Sequence, residues 1–152
     1  YVVDLFKDFF IAPGLLSTLK TNNKALNILA SIYAKENDFN NCLLLNTNKN
    51  IVEALNGNLF LVKNTVIKTP PLLDGCLNGV MRKQLIELIK LLPEYTLEEA
   101  SISPFELQKA DELFITNVIT GILPVTNYRK KFFNSEAASF LLQKINMKIR
   151  LG

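Results

Sequence analysis

Between Cys42 and Thr69 the chain alternates short apolar runs with turn residues, and no amphipathic helix fits that stretch. Cys42-Leu43-Leu44-Leu45 reads as a strand, and Asn46-Thr47-Asn48 reads as a turn rich in residues that tolerate left-handed backbone. Asn50 to Glu53 answers as the hairpin partner. Leu59 to Lys63, a turn at Asn64 and Val66-Ile67-Lys68 make a second hairpin, which Pro70-Pro71 ends. A meander of this kind needs its faces covered, so the flanking segments are read for helices.

Helical periodicity appears on both sides. Asn23 is expected to cap a helix over about residues 24–36, with Leu26, Leu29, Ala30 and Tyr33 on one face and a stop at Asn37-Asp38 and Asn40-Asn41. Gly75 to Gly79 leads into the clearest helix, Val80 to Leu92, whose Leu85, Ile86, Leu88, Ile89 and Leu92 form a buried stripe before Pro93. Asn134 is expected to cap a last helix over about residues 135–148. Tyr1 to Phe10 suits a strand or an irregular start, and Ala12-Pro13-Gly14 is a turn. Tyr95-Thr96-Leu97 alternates like a strand, Ser103-Pro104 opens a short helix, and Leu113 to Ile119 reads as a strand ending near Gly121. The sum is one α/β unit without an internal repeat or boundary.

Composition removes several function classes. A chain of 152 residues with 49% apolar and 20% charged side chains is globular and can bury a core. A net charge of +3 is too weak to imply nucleic acid. With no histidine, a zinc-histidine site and Ser-His or Cys-His catalysis are excluded within this chain, and Cys42 and Cys76 lack metal-ligand spacing. No apolar run reaches the roughly 18 residues that span a bilayer. A reduced, cytoplasmic setting is expected. The chain begins at Tyr1 without a methionine and reads as a piece of something longer.

The candidate sites each carry two readings. Lys20 follows Leu15, Leu16 and Leu19, so its ammonium is either a solvated charge or a desolvated nucleophile at the mouth of an apolar pocket. Glu53 interrupts an apolar strand, as an outward-facing carboxylate or as one that holds a ring nitrogen protonated. Gly79 before a helix N-terminus leaves the N–H groups of Val80 and Met81 free for an anion, yet most helix starts bind only water. Thr116-Asn117-Val118 at a strand end offers further donors or an ordinary exit. Asp111-Glu112 reads as a solvated turn pair, and Arg129-Lys130-Lys131 as a solvated loop.

Taken in order, these segments resemble the class-IV aminotransferases, the fold-type IV pyridoxal-phosphate family. That family holds branched-chain aminotransferases, D-amino-acid aminotransferases and aminodeoxychorismate lyases. The matching pieces are Lys20, Val52-Glu53 to Asn58-Leu59-Phe60, Thr69-Pro70, Leu77 to Arg82, Ala110 to Asn117 and Gly121 to Val125. The resemblance implies a D-amino-acid-aminotransferase-like fold, here its C-terminal lobe over residues 1–152, with a curved, barrel-like mixed sheet and outer helices. It implies pyridoxal 5'-phosphate as cofactor and Lys20 as its Schiff-base lysine and the acid and base of proton transfer. Glu53 would pair with the pyridine nitrogen, Asn58 would sit in the turn beside the ring, and Val80, Met81, Asn117 and Val118 would bind the phosphate.

The pattern departs from the family in three places. The family's smaller N-terminal lobe, which contributes an arginine and part of the substrate pocket, is absent from this chain. Ala54 stands where transaminases usually have glycine, and Ala25 where many branched-chain enzymes have tyrosine. The last two, with Asn78 to Arg82 and Thr116-Asn117, look more like the lyase branch, which releases pyruvate from 4-amino-4-deoxychorismate and gives 4-aminobenzoate for folate synthesis. Lyase is therefore the expectation, with branched-chain or other amino-acid aminotransferase as the alternative and a non-catalytic binding module as the remoter one. The resemblance also implies a homodimer acting on a small amino-acid-like substrate, without nucleic acid or membrane.

Overall fold

In the computed structural model, which describes residues 1–151, the meander forms as expected and the flanking segments add to it. β1 (Val2–Ile11) runs parallel to β2 (Asn41–Asn46). From there β3 (Ile51–Ala54), β4 (Gly57–Lys63) and β5 (Val66–Thr69) follow in antiparallel succession. β6 (Thr96–Glu99) lies parallel to β5, while β7 (Glu112–Asn117) runs antiparallel to β4 and turns into β8 (Gly121–Pro124). Two short strands, β9 (Asn127–Tyr128) and β10 (Lys131–Phe132), complete a mixed sheet of ten strands among the described residues.

The sheet curls because β4 is forked. It pairs with β3 at its start and β5 at its end, while β7 pairs along Asn58 to Val62. After β8 the chain returns to its beginning: the Thr126 N–H donates to the Tyr1 carbonyl, and β9 pairs with β1. This closes the expected barrel-like form around Leu5, Leu43, Leu45, Leu59, Leu61, Leu113 and Ile115.

Alternate residues face outward and are covered by helices. α1 (Ala25–Glu36) sets Ala30 and Ala34 against Phe6, Cys42 and Leu44. α2 (Val80–Lys90) and α3 (Glu136–Leu151) cover Phe60, Val62 and Phe114, and the two phenyl rings stack at 5.2 Å. No helix among the described residues is long and apolar enough to cross a membrane.

Several local expectations are corrected. Lys24, not Asn23, takes the α1 N-cap position, and it makes no side-chain cap. Leu29 is exposed, along with Ile28 and Ile32, because the small residues Ala30 and Ala34 let α1 approach the sheet closely on the neighbouring face. In the β2–β3 turn the left-handed residue is Lys49 rather than an asparagine. The strand expected to run to Ile119 stops at Asn117, whose Oδ1 accepts the Ile119 and Thr120 N–H groups and bends the chain into a turn. Asp111 and Glu112 are not a solvated pair. Asp111 pairs with Lys63 at 2.9 Å and accepts the Asn64 N–H, closing the second hairpin. Glu112 is buried and accepts the Ala137 and Ala138 N–H groups at 2.8 and 3.1 Å. The first turn of α3 is thus held by a carboxylate from β7, where Asn134 was expected to cap it.

Candidate active site

One cross-strand row on the outer face changes character in its middle. Leu44, Glu53, Asn58, Thr116 and Ile122 are successive register partners across β2, β3, β4, β7 and β8. Its apolar ends belong to the clusters under α1 and under α2 and α3. Its three polar members fall in the gap between them, yet all are buried, Glu53 at 7%, Asn58 at 4% and Thr116 at 1% exposure. Buried polar groups need partners, and those partners define the site.

Glu53 and Asn58 clamp one residue from both of its peptide groups. Glu53 Oε2 accepts the Leu77 N–H at 2.7 Å, and Asn58 Nδ2 donates to the Leu77 carbonyl, also at 2.7 Å. Leu77 lies two residues before Gly79, the N-cap of α2, so the strand row fixes where that helix begins. Gly79 leaves room for this clamp, since a Cβ would collide with Asn58 Oδ1 and push that side chain aside. Asn58 was expected in a turn; it stands in β4, because the turn is only Leu55 and Asn56 and the strand begins at Gly57. Burial pushes the Glu53 carboxyl up to about 7, against the Leu77 hydrogen bond and the positive charge of Lys24, which lower it.

The start of α2 has no side-chain cap, and its first residues, Val80 and Met81, line the adjoining cavity at the positive end of the helix dipole. Thr116, the third polar member of the row, borders the same cavity, and its Oγ1 is buried without any partner. Arg82, one turn into α2, is not available to this space: it bonds the Pro70 carbonyl at 2.9 Å and Glu99 at 2.8 Å, tying the helix to the ends of β5 and β6.

Lys20 sits in the loop between β1 and α1, which docks onto the start of α2 through the Asn78 N–H and the Thr18 carbonyl at 3.0 Å. Of its two readings the solvated one holds: Lys20 is exposed, and Leu15 and Leu16 are exposed as well, because the short 3-10 helix Leu15–Thr18 buries none of its residues. Leu19 borders the same cavity as Lys20. Two adjoining cavities of about 360 and 340 Å³ share Lys20, Asn56, Gly57, Leu77, Asn117 and Val118. The first adds Asn58, Gly79, Val80, Met81 and Thr116; the second adds Lys24, Asn27 and Glu53. Every residue picked from the sequence, Lys20, Glu53, Asn58, Val80, Met81, Asn117 and Val118, therefore lines one or both of these two adjoining cavities.

Other side chains shape it without a sequence signal strong enough to find them. Asn41, read as a helix stop, is a β2 residue that bonds Asn56 and the Leu55 N–H and so holds the turn after Glu53. Lys24 was read only as helix. Cys76 is no nucleophile, since burial pushes its thiol up to about 11. A larger cavity of about 560 Å³ lies elsewhere, over Leu5, Phe10, Leu45 and Tyr128, but no carboxylate and none of the residues above line it. Chemistry rather than size selects the site. Among the described residues no cluster has the ligand set for a metal ion.

Comparison with known proteins places the chain in one family. Residues 5–128 match the family model described as amino-transferase class IV. A branched-chain-amino-acid aminotransferase of Methanocaldococcus jannaschii is 32% identical over 132 residues, 87% of this chain and 46% of that protein. An aminodeoxychorismate lyase of Vibrio harveyi is 30% identical over 112 residues, 74% of this chain and 41% of that protein. Among solved structures, a 4-amino-4-deoxychorismate lyase of Legionella pneumophila superposes with a TM-score of 0.87 at 26% identity, over 96% of this chain and 55% of that one. The chain thus spans about half the length of the relatives it matches. By sequence and fold it belongs to the class-IV aminotransferase family.

Proposed function

We propose that this chain is the C-terminal, cofactor-binding lobe of a pyridoxal-phosphate enzyme. One observation carries the reading: the two adjoining cavities put the Glu53 carboxylate at one end, the open start of α2 at the other and Lys20 along both. The donor set fits the cofactor. A buried carboxylate suits a protonated ring nitrogen, and a helix N-terminus with the orphaned Thr116 hydroxyl suits a phosphate dianion. When bound, pyridoxal phosphate supplies a carbonyl that captures amines and a ring that withdraws electrons from the adjacent carbon.

The chain's own residues do the rest. Lys20, which borders both cavities, carries the proton between the substrate α-carbon and its own amine. Glu53, held in one orientation by Leu77, presents negative charge to the ring nitrogen; that cation in turn offsets the burial that otherwise favours the protonated acid. The Val80 and Met81 N–H groups bind the phosphate, and Asn58 places them by fixing Leu77. Asn117 and Val118 close the space from the β7–β8 turn, with the Asn117 carboxamide oxygen spent on shaping that turn.

The specific reaction we infer is elimination of pyruvate from 4-amino-4-deoxychorismate, with aminotransfer to a branched 2-oxo acid as the second reading. Ala54 and Ala25 support the first, and relatives named branched-chain aminotransferase support the second. The exposed apolar side chains Phe9, Leu15, Leu16, Ile28 and Leu29 support burial against further protein, as in a homodimer of the full-length enzyme. Coupled assays on that enzyme separate the reactions. Pyruvate release from aminodeoxychorismate without any amino acceptor supports the lyase; strict dependence on glutamate and a branched 2-oxo acid replaces it with the transaminase.

A further inference from the structure

Charge accounting in the second cavity leaves one group over. Its charged lining consists of Lys20, Lys24 and Glu53. In the reading above, on which this inference rests, Lys20 engages the cofactor carbonyl and Glu53 its ring nitrogen. Lys24 has no such assignment. Its backbone is fixed at the start of α1, where its carbonyl accepts the Ile28 N–H at 2.9 Å and its own N–H donates to the Asn22 carbonyl at 2.9 Å. Its side chain is half-buried, whereas Lys20 is exposed. Among the described residues Lys24 makes no ion pair; it is near enough to Glu53 to act on its charge but forms no bridge with it.

A lysine that lines a cavity, makes no ion pair and shares that cavity with one already engaged carboxylate leaves its ammonium available to a further negative charge. Such a group is offset by an anion brought by the occupant, and a charge-assisted bond there is among the stronger polar contacts. Asn27, one turn on, does not compete for that anion, because its Nδ2 is bonded to the Leu55 carbonyl at 2.8 Å. Ala25 is too short to reach in. We propose that Lys24 is a binding residue of this site, its ammonium taking an anionic oxygen of the occupant. That oxygen comes either from the ring hydroxyl of the cofactor or from a carboxylate of the substrate.

The test uses the full-length protein with Lys24→Met and Lys24→Arg, and two probes. Pyridoxal 5'-phosphate is titrated into the apo-protein by absorbance, and 2-oxoglutarate into the cofactor-loaded protein by calorimetry. If the ring oxygen is the partner, Lys24→Met weakens pyridoxal phosphate about tenfold or more and Lys24→Arg restores most of that. If a substrate carboxylate is the partner, cofactor affinity stays and 2-oxoglutarate weakens by that factor, again with rescue by arginine. Wild-type affinity of Lys24→Met for both probes overturns the proposal, as does a loss that arginine fails to restore. A wild-type protein that binds no pyridoxal phosphate is a different failure, visible before any variant is made; it overturns the cofactor reading and this inference with it.

Discussion

Glu53→Gln separates what the site needs from what the fold prefers. The folded protein holds the Glu53 carboxyl up at about 7, against 4.5 for an unburied glutamate, chiefly through burial. The protonated form is thus favoured on folding. Below pH 4.5 both states are protonated and burial costs nothing extra; as pH rises toward 7 the unfolded chain ionises first, and stability falls. At about 1.4 kcal/mol per pH unit, the rise corresponds to about 3 kcal/mol lost by pH 8. Glutamine keeps an acceptor for the Leu77 N–H and cannot ionise. The apo variant should therefore match wild type near pH 4.5 and exceed it progressively above, by up to about 3 kcal/mol at pH 8. Urea unfolding of both apo-proteins across that range reads the difference. With pyridoxal phosphate present the order should narrow or reverse, because the wild-type carboxylate then faces a cation. A pH-independent difference between the two, or a variant less stable at pH 8 than wild type, would refute the reasoning.

Two further substitutions test the framework of the site. Gly79→Ala forces Asn58 off the Leu77 carbonyl, since the new Cβ meets its Oδ1. Pyridoxal phosphate affinity should fall about tenfold or more while far-UV circular dichroism is retained, a loss equal to one good hydrogen bond to a charged group. Glu112→Ala strands two buried N–H groups at the start of α3, far from the cavities. It should destabilise the protein by about 2–3 kcal/mol in denaturant unfolding and leave the affinity of the folded protein for cofactor within about twofold.

The features legible in the sequence are those written locally. Hairpins around Asn46 to Asn50 and at Asn64 follow from turn residues between short apolar runs, and α2 follows from its stripe and from Gly79 and Pro93. Ser103 caps its short helix as read, because Glu106 lies within the same turn and completes a capping box. What stayed hidden depends on distant pairing. Glu112 gives no local sign that it will hold a helix 25 residues away. The polar row from Glu53 to Thr116 exists only once three strands are in register. β9 and β10 span two residues each and carry no periodicity at all. For the site, residue types suggested an amine, a carboxylate and a helix start. The Leu77 clamp that relates the last two, and the half-buried Lys24, needed the fold.

The central claim is that Lys20 is the reactive amine of a pyridoxal-phosphate site. The full-length protein should be loaded with pyridoxal phosphate, reduced with borohydride, digested and mapped by mass spectrometry. The account predicts a pyridoxyl group on Lys20 in stoichiometric yield, lost in Lys20→Ala while the melting temperature is unchanged, as suits an exposed side chain. An adduct on Lys24 or another lysine, or no adduct at all, would contradict it.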